Sequence, residues 1–183
     1  VKAKSAMVAV HEKSRHLYRC KAVLATKGHG GLNPTDDSAV LRLSRFIAEV
    51  SKKKIYKGAF YPEVRAMFES HAPYMSFPLN MLFGNLTLFS PLIKKIMLGI
   101  PQTKAMLSTS IAFTTVFAGS KDDPQMRAKE AETTMFLRCV REEDLLNGLE
   151  KIKKIAKKYK IEIEEIERDY CKPSSFESKP YKL

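Results

Sequence analysis

The sequence has few of the residues that build disulfide frameworks and metal centres. Its 183 residues contain three cysteines, Cys20, Cys139 and Cys171, which are far apart in the chain. An odd number of cysteines without paired spacing argues against a disulfide framework or a zinc knuckle, and it favours free thiols in a reducing compartment. The four histidines form no HxxxH or HxH pair. The chain is therefore not expected to hold a catalytic metal by itself.

A targeting signal is also not readable in the sequence. The first residue is Val1 rather than methionine, and no charged-then-apolar leader follows it. We therefore expect a mature or excised segment. We place it in the cytoplasm, since its thiols are expected to be reduced.

Acidic residues are outnumbered by basic ones, 20 against 32, which gives a formal net charge of +12. Such an excess makes nucleic acid or an anionic membrane surface a candidate partner. The basic residues are scattered, however, and their densest group lies on one predicted helix with well-defined apolar positions, which is typical of a solvated helix face. That group is Lys151, Lys153, Lys154, Lys157, Lys158 and Lys160. A basic nucleic-acid-binding module stays as the alternative function.

Hydrophobic periodicity predicts an α+β fold. Alternating apolar residues indicate strands, and apolar residues at helical spacing, such as Val40, Leu43 and Ile47, indicate helices. The predicted elements are a strand over 17–25, a helix over 36–52, strands over 109–119 and 131–140, a helix from 142 and a strand from 161. The order β-α-β-β-α-β is that of the ferredoxin-like arrangement, an antiparallel sheet with two helices on one face.

The segment 55–108, between the first helix and the second strand, is too long for a simple connection. Within it, residues 70–93 carry no charge and are numerous enough to span a membrane. Pro73, Pro78 and Pro91 interrupt this run, and a missing N–H is costly in lipid. We expect a mostly helical insertion folded onto the sheet or onto a partner. An interfacial membrane contact is the second possibility, and a spanning helix is the last.

Four stretches, taken in order, carry a family resemblance. They are "KGHGGLNPTDDSAVLRLSRFIAEV", "AMLSTSIAFTTVFAG" followed by "PQMRAKEAETTMFLRCV", "CKPSSFESKPYKL", and the insertion "APYMSFPLNMLF…PLIKKIML". The first three resemble the zinc aminoacylase and carboxypeptidase family, peptidase family M-twenty. The insertion resembles its carboxypeptidase S branch, which includes N-acyl amino acid hydrolases. The resemblance covers nearly the whole chain.

The resemblance implies that residues 1–183 form one lid, or dimerisation, domain. Residues 1–11 and 171–183 would be linkers to a catalytic domain that holds two zinc ions and the general base. The intact parent would hydrolyse peptide or N-acyl amino acid bonds with zinc-bound hydroxide. We expect the isolated chain to be inactive.

A homodimer is expected through strand 109–119 and helix 36–52. The strand is a predicted sheet edge, and it has neither charge nor proline to protect it from pairing. By resemblance, family dimers join here across a two-fold axis.

Three residues take site roles from the resemblance. His29, among glycines that allow close approach to a ligand, matches a lid histidine that donates a hydrogen bond to the carbonyl under attack in the partner subunit's active site. Arg138 matches an arginine that binds a substrate carboxylate. Gln125 stands where the family usually has asparagine and is expected to contact substrate. The alternatives are a histidine on a flexible turn and an ordinary exposed sheet arginine.

The sequence departs from the family pattern at several positions. Gly30 and Gly31 replace serines, Lys27 replaces a glycine, and Ser108 replaces an arginine. These departures leave the fold prediction intact, and they bear on substrate preference.

Overall fold

The computed structural model describes residues 14–24, 37–119, 122 and 125–171. These residues form two compact units. The sheet unit comprises Ser14–Tyr56 and Ser110–Tyr170, and the insertion unit is described over Lys57–Thr109.

Four strands and six α-helices follow one another along the described residues. In chain order they are β1 (Ser14–Val23), α1 (Ala39–Lys52), α2 (Pro62–His71), α3 (Leu79–Gly84), α4 (Leu86–Gly99), α5 (Pro101–Leu107), β2 (Ser110–Ala118), β3 (Glu130–Cys139), α6 (Glu142–Lys158) and β4 (Ile161–Asp169). A short 3₁₀ helix, Ala72–Tyr74, lies between α2 and α3.

The sheet has the strand order β2-β3-β1-β4, and every neighbouring pair is antiparallel. Alternate residues of β1 and β3 are buried, because successive side chains of a strand point to opposite faces. Phe46 of α1 and Ile152 of α6 belong to the same buried cluster as Cys20 of β1 and Met135 of β3. Both helices therefore cover one face of the sheet, and the predicted ferredoxin-like fold is confirmed.

The predicted starts of β1 and α1 were each wrong by three residues, whereas the predicted end of α1 at Lys52 is confirmed. β1 begins at Ser14, which pairs with Cys139. α1 begins at Ala39 because Ser38 caps it, with its Oγ accepting a hydrogen bond from the Leu41 amide at 3.1 Å. Asp37 precedes the cap instead of standing in the first turn. Its Oδ1 accepts a hydrogen bond from Arg42 Nε at 2.6 Å, which lowers the pKa of Asp37.

Glu49 joins the C-terminal end of α1 to that of α6. Its Oε2 accepts hydrogen bonds from Lys158 Nζ at 2.7 Å and Tyr159 Oη at 2.6 Å, and its Oε1 lies 2.7 Å from Lys53 Nζ. Hydrogen bonds from Lys158, Lys53 and Tyr159, in that order, lower the pKa of Glu49 to about 2. These donors bind the charged carboxylate, so the link is lost on the acid side only when the pH falls to about that value.

Within the described part of the chain, Cys20, Cys139 and Cys171 form no disulfide bond. Cys20 and Cys139 are buried in the sheet unit, and Cys171 is exposed. Burial raises the pKa of Cys20 to about 12. Cys20 therefore acts as a small apolar core residue rather than as a nucleophile.

The insertion unit is helical, as predicted. Phe68 of α2 stacks on Phe83 of α3 with ring centres 4.7 Å apart. The start and the end of the unit are joined by a hydrogen bond from the Ala59 amide to the Leu107 carbonyl, at 2.8 Å. A Cβ at Gly58 would lie 3.1 Å from that carbonyl oxygen, so glycine allows the close approach.

α4 continues through Pro91, so the prediction that this proline interrupts the segment was wrong. Proline removes one hydrogen bond, to the carbonyl four residues earlier. That carbonyl belongs to Thr87, which is exposed, so water can satisfy it. Within the residues that the structure describes, no helix is both long and apolar enough to cross a membrane.

Candidate functional site

Strand β2 is an edge strand, with β3 as its one neighbour in the described sheet. Its nine residues, SIAFTTVFA, include no charge and no proline, which are the usual means of protecting an edge. Val116 and Phe117 expose 61% and 62% of their surface. Another strand could therefore extend the sheet at β2.

A β-bulge at Thr114 changes which side of β2 faces the helices, because the pairing with β3 skips this residue. Threonine hydroxyls form hydrogen bonds with backbone groups of β2 and β3 where the bulge disrupts the ladder. Thr133 Oγ1 donates to the Thr115 carbonyl at 2.6 Å, and Thr115 Oγ1 accepts from the Thr134 amide at 3.2 Å. Beyond the bulge Val116 lies opposite the buried Thr133, so Val116 is on the helix side of the sheet.

An apolar groove of about 260 Å³ lies between α1 and the C-terminal half of β2. It is lined by Val40, Leu43, Ser44, Ile47 and Ala48 of α1, by Val116 and Ala118 of β2, and by Ala131 of β3. Val40 is 41% exposed, so part of this apolar lining faces solvent. The groove and the open edge of β2 form one continuous surface, which we call the edge surface.

The face of the sheet opposite the helices carries paired charges. The ion pairs are Lys21–Glu130 at 2.7 Å, Arg19–Glu164 at 2.9 Å, Arg15–Asp169 at 3.3 Å and Arg19–Glu132 at 3.9 Å. Each such exposed pair contributes little to stability. Together they offset the positive charge of this face.

Arg138 departs from that pattern. It lies, as the alternation predicts, on the face away from the buried Leu137, and it is exposed. Its cross-strand neighbours are Arg15 of β1 and Ser110 of β2, and no carboxylate among the described residues pairs with it. Two like charges directly opposite each other are unfavourable. A carboxylate ligand would relieve that repulsion, and a guanidinium can bind it through two hydrogen bonds.

The structure describes two of the three predicted site residues. Arg138 is exposed and lies beside Arg15, near the Ser14 end of β1. Gln125 is exposed and precedes Glu130, which pairs with Val23. His29 is outside the described residues.

His16 is a residue to which the sequence assigned no role. It is 1% exposed, and neither ring nitrogen has a hydrogen-bond partner among the residues that the structure describes. Its ring is parallel to that of Tyr18, whose hydroxyl donates to Glu165 Oε2 at 3.3 Å. Burial, and then the charge of Arg168, lowers the pKa of His16. The sequence signal for the burial of His16 was the alternation of residues along β1.

The described residues do not fit the zinc site that the resemblance implies. Among them, no group of three or more His, Cys, Asp or Glu side chains could hold a metal ion. The resemblance assigns the zinc ligands to a catalytic domain.

The model of a peptidase dimerisation domain matches residues 10–164. Among curated proteins, the chain is similar to N-fatty-acyl-amino acid synthase/hydrolases. The one from Danio rerio is 28% identical over 117 residues, covering 64% of this chain and 22% of the relative. The one from Xenopus tropicalis is 32% identical over 99 residues, and the match covers 52% of this chain and 19% of the relative. The chain thus spans about a fifth of the length of these relatives.

Solved structures of similar fold include two amidases of the hydantoinase/carbamoylase family. The one from Burkholderia phymatum has a TM-score of 0.48 at 8% identity, and the match covers 86% of this chain and 29% of that one. The one from Burkholderia multivorans has a TM-score of 0.46 at 13% identity, and the match covers 90% of this chain and 29% of that one.

Proposed function

The chain belongs to the peptidase dimerisation-domain family, and from this premise we propose that it is the non-catalytic lid and dimerisation domain of a zinc-dependent hydrolase. The parent would belong to the carboxypeptidase S-like branch, and it would cleave peptide or N-acyl amino acid amide bonds. The observation that carries the proposal is the edge surface, where an uncharged open strand borders an apolar groove.

Dimerisation would join β2 of one subunit to β2 of the other across a two-fold axis. A two-fold interface buries the same patch on both subunits, so the patch must be complementary to itself. Antiparallel pairing of identical edges meets that requirement. Burial of Val40 and Val116 would remove two exposed apolar side chains from water in each subunit.

The role in trans for His29 is taken from the resemblance, which assigns this histidine to the partner subunit's active site. His29 lies outside the described residues. A two-fold dimer could supply His29 from one subunit and Arg138 from the other.

The substrate class follows from Arg138 and from the relatives. The relatives are named for N-fatty-acyl amino acids, and an amino acid acylated on nitrogen keeps its carboxylate. Arg138, exposed beside Arg15 without a carboxylate partner, would bind that group. His29 would donate to the amide carbonyl as negative charge develops on its oxygen. Gln125 would contact the substrate, as the resemblance implies.

Mixing two defective variants of the full-length protein tests this arrangement. His29→Ala and Arg138→Ala are each expected to lose activity at substrate concentrations below KM, the former by roughly 10²-fold. If the two residues come from different subunits, each hybrid dimer keeps one intact site and about half of the wild-type activity.

The same mixture discriminates the alternatives. Residues acting from the same subunit would leave both sites of the hybrid defective, and mixing would restore nothing. Arg19→Ala is the matched control for Arg138→Ala, since Arg19 lies on the same face but has its own carboxylate partners. An equal loss in Arg19→Ala would contradict a substrate role for Arg138.

A further inference from the structure

Helix α4 is apolar on both of its faces. Its inner face consists of Leu86, Ile93 and Met97, which are 2–4% exposed. Its outer face is also apolar, although it is open to solvent. A contiguous apolar patch that is open to solvent is typical of a surface that binds protein or lipid.

The outer face forms one regular stripe. Leu88, Leu92 and Ile96 of α4 are four residues apart, which places their side chains above one another on the helix, and Ile100 is the C-cap residue that follows Gly99. They expose 74%, 51%, 53% and 45% of their surface. We call this row the α4 stripe.

The charged residues between positions 70 and 109 all have one sign. Residues 70–109 contain no aspartate or glutamate, and their charged residues are Lys94, Lys95 and Lys104. Lys95 and Lys104 are exposed, and Lys95 is adjacent to Ile96 of the stripe. Long lysine side chains can hold their ammonium groups in the headgroup region while their stems lie along apolar surface.

We propose that the α4 stripe docks onto an anionic phospholipid surface. An apolar helix face flanked by lysine is the combination that binds in the plane of such an interface. A second copy fits this surface less well, because a two-fold contact would bring the lysines of both copies together, and Glu69, the carboxylate that reaches α4 through Arg65, is already paired with that arginine. The inference goes beyond the proposed function and does not depend on it.

Single-tryptophan variants test the docking directly, because the natural sequence contains no tryptophan. Leu92→Trp places the reporter on the α4 stripe. Leu146→Trp is the matched control, since Leu146 is 46% exposed on helix α6 of the sheet unit. On addition of phosphatidylcholine vesicles containing phosphatidylserine, the emission of Leu92→Trp is expected to shift to shorter wavelength and that of Leu146→Trp to stay in place. No shift in Leu92→Trp, or an equal shift in both, would overturn the proposal.

Vesicle flotation of the full chain gives the second test. Replacing Leu88, Leu92 and Ile96 together by serine is expected to lower partitioning at least about a hundredfold, because each buried aliphatic side chain contributes roughly tenfold. Lys95→Gln, beside the stripe, is expected to lower it about fivefold. The replaced side chains are exposed, and the thermal melting curve checks that the fold is kept. Flotation of the triple variant equal to wild type would contradict lipid docking. Loss of self-association by that variant without lipid would assign the stripe to a second copy instead.

Discussion

The ring of Tyr56 occupies the space that a side chain at Gly148 would need. A Cβ at Gly148 would lie 1.9 Å from Cε1 of Tyr56. The Tyr56 hydroxyl donates a hydrogen bond to the Leu145 carbonyl of α6, at 3.3 Å. Burial raises the pKa of Tyr56, so the hydroxyl stays protonated and keeps donating. The absent side chain at Gly148 thus allows Tyr56 to fasten α6 to the segment after α1.

We predict that Gly148→Ala destabilises the domain, although alanine is the better helix former. The tyrosine ring is bonded and partly buried, so it cannot move aside freely, and overpacking of this kind costs roughly 1–3 kcal/mol. Gly99→Ala is the matched control, because a Cβ at Gly99 would meet nothing within 4 Å. Urea unfolding of both variants measures the difference. Equal free energies of unfolding in Gly148→Ala and wild type would show that the ring moves without cost.

Acid sensitivity is predicted to arise from His16. Its lowered pKa means that the folded state disfavours the imidazolium. The stability due to neutral His16 is therefore complete above the ordinary histidine pKa of 6.5, and it is lost progressively as the pH falls below that value. Arg168 strengthens this effect, whereas Glu142, Glu165 and Asp169 oppose it.

His16→Leu is expected to flatten the dependence of stability on pH between about 6.5 and 5. It also removes two buried nitrogens without partners, and such groups cost about 1–3 kcal/mol each. The free energy of unfolding near pH 7 should therefore not fall below that of wild type. Unfolding curves at a series of pH values measure both quantities. An unchanged slope in the variant would mean that other groups cause the acid sensitivity.

The sheet could be predicted from the sequence because apolar residues alternate with other residues along its strands. Met135 and Leu137 alternate with Thr134 and Phe136, and burial follows that alternation along all of β3. The ends of elements were harder to predict. Ser38, a strong capping residue next to Asp37, decides where α1 begins through a single hydrogen bond.

The edge surface depends on details that periodicity does not encode. The bulge at Thr114 moves Val116 to the helix side of β2, and a bulge is set by pairing with β3 rather than by local sequence. Likewise, the proline pattern predicted a break at Pro91, but α4 continues and carries the α4 stripe through it. The alternation predicted the face of the sheet on which Arg138 lies. Its pairing with Arg15 could be known only from the register of β1 and β3.

The central claim is that the edge surface joins two copies of this chain. Val116→Lys places a charge in the groove. In a two-fold contact both subunits would bring this charge into the interface. Since each valine burial contributes about 1.5–3 kcal/mol, the variant should raise the dimer Kd at least about a hundredfold. Ile166→Lys is the matched control, because Ile166 is 46% exposed on β4, at the other edge of the sheet.

Sedimentation velocity over a concentration series measures the mass of each variant. The account predicts that wild type and Ile166→Lys sediment as dimers at high micromolar concentration, and that Val116→Lys sediments as a monomer. A wild-type chain that remains monomeric throughout the series, or an Ile166→Lys variant that dissociates as readily as Val116→Lys, would contradict it.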